Sequence, residues 1–188
     1  MLLAGCGITR APPARLYLLP VATPAGLPSS ASATSAAVVH PIWEIAASVV
    51  LPEYLDREAV VVGEGDTRLR ALIGHRWAEP LRDSVPRLLR HDLQLLRGAE
   101  STWAAPAPAG VAIDRRLQVE VLALHADAKR RAFTLRARWW LIDPLALNPP
   151  LQGSVAMELP VDGADPEVIV GAHRRGLWLL AERIAHGA

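Results

Sequence analysis

Arg115 to Pro144 reads RRLQVEVLALHADAKRRAFTLRARWWLIDP. Two runs of alternating residues flank a polar segment around Ala128, and a period of two marks a strand with one face on a core. The stretch is therefore predicted to be a long antiparallel hairpin. The expected register sets Leu117 against Trp139, Val119 against Ala137, Val121 against Leu135 and Ala123 against Phe133. On the other face it sets Gln118 against Arg138 and Glu120 against Arg136, an opposite-charge pair. A slip of one residue would bring Val119 opposite Arg138 and mix the faces, so an odd-length loop centred on Ala128 is expected. Trp139 and Trp140 point to opposite faces, and an outward Trp beside Leu122, Leu124 and Ile142 would suit a contact between copies of the chain.

On either side of this hairpin the period changes. From Glu79 to Arg97, Leu81, Val85, Leu89, Leu93 and Leu96 recur at helical spacing, with Arg82, Arg87, Arg90 and Asp92 off the stripe. Pro86 must kink this helix or mark its first turn, and Gly98 suits the position just past its end. Near the C-terminus Asp165, Pro166 and Glu167 punctuate a helix start and Gly187 its end. Val168 to Ala185 is expected to be one helix, held by Ile169, Ala172, Leu180 and Ile184, with Gly176 permitting close approach to the sheet. Short strands are expected over Arg15–Val21, Ile42–Val50, Glu58–Gly65, Thr67–Trp77 and Leu151–Val161, and a loop over Ser101–Gly110. Ala22 to Ala37 is low-complexity Ala/Ser/Pro/Thr and is read as a flexible loop inside the domain. The order of elements implies an α+β fold, a largely antiparallel β-sheet with two amphipathic helices packed on one face, in a single domain over residues 15–188.

Composition bounds the function. The chain has 188 residues, 51% of them hydrophobic, with mean hydropathy +0.20, which places it among folded proteins with a real core. A net charge of +1 leaves no basic stripe for nucleic acid, and no apolar run is long enough for a membrane-spanning helix. His40, His75, His91, His125, His173 and His186 show no metal-ligand spacing. Nucleophile-elbow and phosphate-loop motifs are absent from the sequence, and no carboxylate is embedded in an apolar segment that would raise its pKa. No catalytic residue, metal or cofactor is expected.

Cys6 is the only cysteine. It has no intrachain partner for a disulfide, and a chain terminus cannot easily supply the base and orienting shell of a catalytic thiol. Chemical modification fits best. Leu3-Ala4-Gly5-Cys6 resembles the lipobox of bacterial lipoproteins, where cleavage before Cys precedes attachment of lipid to the thiol. A full secretory signal is longer than Met1 to Gly5. The expectation is that residues 1–5 are the remnant of a signal peptide, that 6–14 form a lipidated tether, and that the precursor starts upstream of Met1.

"LPEYLDREAVVV" (Leu51–Val62) and "RWAEPL" (Arg76–Leu81) resemble the signatures of the PqiC/YmbA-type family, the ABC-type transport auxiliary lipoproteins. Glu58-Ala59 stand where that family usually has Pro-Gln. "RLYLLP" is similar to its first strand and "HRRGLWLLAERIA" to its last helix. The resemblance implies a non-enzymatic outer-membrane lipoprotein on the periplasmic face, working with an MCE-domain protein of an intermembrane lipid transport system. Gly7, in place of the Asp that accompanies inner-membrane retention, agrees with the outer membrane.

The candidate contact or signature residues are Tyr54, Leu55, Asp56, Arg57, Arg76, Trp77, Glu79 and Pro80. Asp56, Arg57, Arg76 and Glu79 read either as a charged partner face or as ties between a loop and the helix start. Trp77 reads as a core anchor or a lipid contact. A second class of function, a periplasmic module that itself binds lipid or a small ligand, stands beside docking; a deep apolar cavity would favour it, and a filled core would favour docking.

Overall fold

The computed structural model describes residues 13–27 and 40–187, so Cys6 and residues 28–37 of the low-complexity segment lie outside the described residues. The elements are β1 Arg15–Tyr17, β2 Trp43–Ile45, β3 Ala59–Gly63, β4 Leu69–Trp77, α1 Leu81–Arg97, β5 Thr102–Ala104, β6 Arg115–Asp127, β7 Ala132–Ile142, β8 Leu151–Pro160 and α2 Pro166–His186. This is an α+β fold.

The hairpin β6–β7 forms, in another register. Leu117 faces Leu141, Val119 faces Trp139, Val121 faces Ala137 and Glu120 faces Arg138. The expected pairing of Glu120 with Arg136 is therefore wrong. Two local features explain the shift. The loop covers residues 128–131, with the Asp127 carboxylate accepting from the N–H groups of Lys129 (2.8 Å) and Arg130 (2.9 Å) and Arg131 at φ 51°. A bulge between Val121 and Ala123 then moves the pairing by one residue. Glu120 keeps an opposite-charge partner, with Arg138 Nη2 at 2.6 Å. The bulge switches the inward set from Leu117, Val119 and Val121 to Leu124 and Ala126, all buried. As expected, Trp139 is buried and Trp140 lies on the other, more open face.

β8 pairs along its whole length with β7, over Ala132 to Leu141. The other edge of β6 is divided. β2 lies against Arg115–Leu117, Val50 bridges Glu120, and β3 lies against Ala126 and Asp127, each parallel. The segment expected as one strand from Ile42 to Val50 is thus β2 plus that bridge. The Thr102–Ala104 stretch, expected as loop, is a strand because β2 offers it an edge. The long pairings, β6–β7, β7–β8 and β3–β4, are antiparallel, and the short ones are parallel.

Both helices close over the inward face. α1 continues through Pro86, which lies in its second turn and so leaves the Arg82 carbonyl without its usual helical donor. α2 is capped as the sequence implied, with the Asp165 carboxylate accepting from the Glu167 N–H at 2.8 Å. Gly176 sits against β7, and a Cβ there would lie 2.5 Å from Cε1 of Phe133. Across the helices, the Arg174 guanidinium donates to both oxygens of Asp92 at 2.6 and 2.7 Å, and the two side chains are 3% and 0% exposed.

Gly176→Ala should destabilise the protein by about 1–2 kcal/mol in urea unfolding. Overpacking against Phe133 costs about 1–3 kcal/mol and outweighs the gain in helix propensity of up to about 1 kcal/mol. A more stable variant would show that Phe133 can move aside. Asp92→Asn should cost about 3–5 kcal/mol, because the buried guanidinium loses its countercharge; an unchanged urea midpoint would contradict this.

Candidate functional site

The two signature stretches meet at the junction of β3, β4 and α1. After Pro52 the chain turns tightly, with the Leu55 N–H donating to the Pro52 carbonyl (2.9 Å) and the Asp56 N–H to that of Glu53 (3.2 Å). The turn drives Leu55 into the core and leaves Asp56 and Arg57 exposed. The Trp77 N–H donates to the Glu58 carbonyl at 2.6 Å, and the Ala78 N–H to the Tyr17 carbonyl at 2.8 Å. These bonds fix the end of β4 between β3 and β1. Pro80 then opens α1, its carbonyl accepting from the N–H groups of Asp83 and Ser84 at 3.0 Å each.

The charged signature residues do not pair with one another. Asp56 pairs with Arg82 (3.2 Å), Arg76 with Glu58 (3.0 Å) and Glu79 with Arg87 (2.6 Å). All three pairs are solvated, so each contributes no more than about 1 kcal/mol. Arg57 has no ion pair among the described residues. Asp56, Arg57, Trp77 and Pro80 share, with Glu58, Ala78 and Arg82, one open cleft of about 220 Å³. Tyr54 and Glu79 stand apart from it. Sequence reading missed Glu58, Arg82 and Arg87 as the partner charges. Glu58 was visible as a neighbour of Arg57, whereas Arg82 and Arg87 look like any solvated helix positions.

Beneath this surface lies a group the sequence did not single out. His173 of α2 is fully buried, its ring edge-on to Trp77 (centroids 5.2 Å apart) and to Phe133 (4.8 Å), and its Nδ1–H donates to the Ile169 carbonyl at 2.8 Å. Nearby, the Tyr54 hydroxyl lies 3.3 Å from Nδ1 of His125. Burial pushes the Tyr54 hydroxyl pKa up and that of His125 down. Burial lowers His173 furthest, to about 4, although its backbone hydrogen bonds work the other way. Trp77 is thus a core anchor resting on a neutral imidazole.

Among the described residues no group of three or more His, Cys, Asp or Glu side chains could hold a metal. The inward face of the sheet is filled: Leu117, Val121, Leu135 and Leu141 are no more than 1% exposed. A larger space of about 590 Å³, beside His40, Ile113 and Leu147, is an open surface cleft.

The depressed His173 pKa sets a pH dependence. The folded state binds that proton less readily than the unfolded chain, so His173 imposes no acid penalty above about pH 6.5. Stability falls as the pH drops from there towards 4, by about 3 kcal/mol for this group. His173→Leu should flatten that stretch of the pH–stability curve, read by urea midpoints. A curve as steep as that of the unaltered protein would assign the effect elsewhere.

The fold has counterparts among solved structures. A crystal structure of an uncharacterized protein superposes with a TM-score of 0.71 at 18% identity, covering 93% of this chain and 98% of that one. A protein from Xanthomonas campestris of the DUF330 family gives 0.64 at 17% identity, covering 92% and 93%. A dodecameric PelC variant from Paraburkholderia phytofirmans reaches only 0.39 at 10% identity, covering 76% and 92%, and carries no argument. No curated protein matches the chain. Residues 17–185 match the sequence profile of the ABC-type transport auxiliary lipoprotein component, from β1 nearly to the end of α2. The chain therefore belongs to the ABC-type transport auxiliary lipoprotein family.

Proposed function

We propose that the protein is a non-enzymatic docking component of an MCE/ABC-type intermembrane lipid transport system, anchored through lipid on Cys6 to the periplasmic face of the outer membrane. There it stabilises the end of the conduit built by an MCE-domain protein, as a single copy or a homo-oligomer. The observation that carries this reading is the family match over the whole folded domain, beginning shortly after the lipobox-like Leu3–Cys6. The filled core supports docking over the alternative of a module that itself encloses lipid or a small ligand. Surface residues at the signature cleft then meet the partner, and Arg57 is the charge among them left without an ion pair among the described residues.

Anchoring supplies localisation. Each buried methylene contributes about 0.8 kcal/mol, so a multiply acylated cysteine holds the membrane stably. Confinement raises the effective concentration of domain and partner at one place without chemistry in either.

Cys6→Ala should leave the urea midpoint unchanged, abolish incorporation of a fatty-acid probe, and shift the protein from outer-membrane to soluble fractions. It should also weaken the barrier phenotype that depends on lipid transport. Unlabelled wild-type protein, or a Cys6→Ala form that stays membrane-bound and functional, overturns the anchor.

A further inference from the structure

The strand by which the chain enters the fold is apolar on its outer side. Leu16 is 66% exposed and Leu18 58%, while Leu19 turns inward and is buried. Among the described residues β4 is the only strand that pairs with β1, with Arg15 opposite His75 and Tyr17 opposite Trp77. Two residues before His75, Ile73 is 95% exposed. Its position is built by the fold. Between the pairs Ala59–Arg76 and Val61–Ala71, β4 takes several more residues than β3 to cover the same step. Gly74 at φ 76° closes the resulting bulge, a conformation that glycine adopts without strain. Isolated exposed leucines are ordinary. Leu16 on the edge strand, Leu18 just past its end, and an isoleucine on a bulge of the neighbouring strand, three positions from the residue opposite Leu16, leave this edge of the sheet with large apolar side chains in solvent, which calls for a partner.

Two observations choose the occupant. From Cys6 to Pro13 the chain spans at most about 25 Å even when fully extended, so a lipid on Cys6 keeps the start of β1 within that distance of the bilayer. The local charge is also complementary to anionic headgroups. Glu58 and Glu64 are taken up by Arg76 and Arg70, which leaves Arg15 and Arg68 without ion pairs among the described residues. We propose that β1 and the bulge of β4 rest on a phospholipid surface containing anionic lipid, with Leu16, Leu18 and Ile73 seated among the headgroups. This contact, brought within reach by the anchor, fixes which side of the domain faces the membrane, and the inference rests on lipid attachment at Cys6.

The lone cysteine allows a test that does not depend on cellular processing. The full chain is coupled through Cys6 to a maleimide lipid in vesicles of phosphatidylethanolamine and phosphatidylglycerol, and amide hydrogen exchange is compared with the uncoupled chain in solution. Peptides covering residues 13–19 and 69–77 should slow by about threefold or more, with β6–β7 unchanged. Leu16→Ser with Ile73→Asp, both at exposed positions, should remove the slowing while the β6–β7 peptides confirm an intact fold. Equal exchange on vesicles and in solution, or slowing confined to the loop bearing Leu145 and Leu147, overturns the proposal. Failure of fatty-acid labelling in cells, by contrast, tells against the Cys6 anchor and leaves this vesicle result standing.

Discussion

One buried ion pair sets the relation between the two helices, and the rest of the domain is arranged around it. Arg174 of α2 meets Asp92 of α1 with a bidentate grip and also donates to the carbonyls of Val21 and Ala22, each at 3.2 Å. Its three nitrogens thus tie both helices to the segment that follows β1. Burial pushes the Asp92 carboxyl above its ordinary range, against the pull of the guanidinium. Such a pair adds little net stability relative to apolar packing, yet separating its members is costly. Its effect is therefore on uniqueness: a sliding or rotated α2 would strand a charge in the core. With α2 fixed, His173 falls beneath Trp77 and Gly176 beside Phe133, and the base of the signature cleft is set.

That constraint was invisible along the chain. Asp92 lies off the Leu81–Val85–Leu89–Leu93 stripe and reads as a solvated position, because a single apolar face is the only one that periodicity can reveal. α1 in fact buries two faces, one on the sheet and one on α2. The ends of α2 were legible for the opposite reason: Asp165, Pro166 and Gly187 act within a turn of where they stand. The two hairpin strands were legible from their alternation, but their register was not. The Asp127-capped loop and the bulge at Leu122 each shift the pairing, and no alternation pattern encodes a bulge. Short parallel strands such as β5 have almost no sequence signal, since a neighbour's free edge creates them.

The candidate site shows the same division. Its residue types were readable, and the two stretches do converge, but the charge partners are Glu58, Arg82 and Arg87. Most of the signature is occupied with holding a joint. Leu55 and Trp77 are buried, Tyr54 reaches His125, Asp56, Arg76 and Glu79 each have a counter-charge, and Pro80 begins α1. A motif of this kind identifies a fold more directly than it identifies a contact surface.

The chemistry of the domain follows from how thoroughly its polar groups are engaged. The buried titratable ones answer to other protein groups, Asp92 to Arg174, His173 to Ile169, and Glu44 to the Ala107 N–H and Arg116, whereas the buried Ser84 hydroxyl and Trp178 indole N–H have no hydrogen-bond partner among the described residues. A group so committed is poorly placed to exchange protons with a substrate, which fits a family defined by its place beside a transporter. What remains for function is on the outside, and it is unevenly distributed. The edge where the chain enters carries apolar side chains and two arginines without counter-charges among the described residues, while the charges of the signature cleft are paired apart from Arg57. A domain tethered at one point gains direction only if its surfaces differ in this way, because a lipid anchor alone fixes distance from the membrane and leaves rotation free.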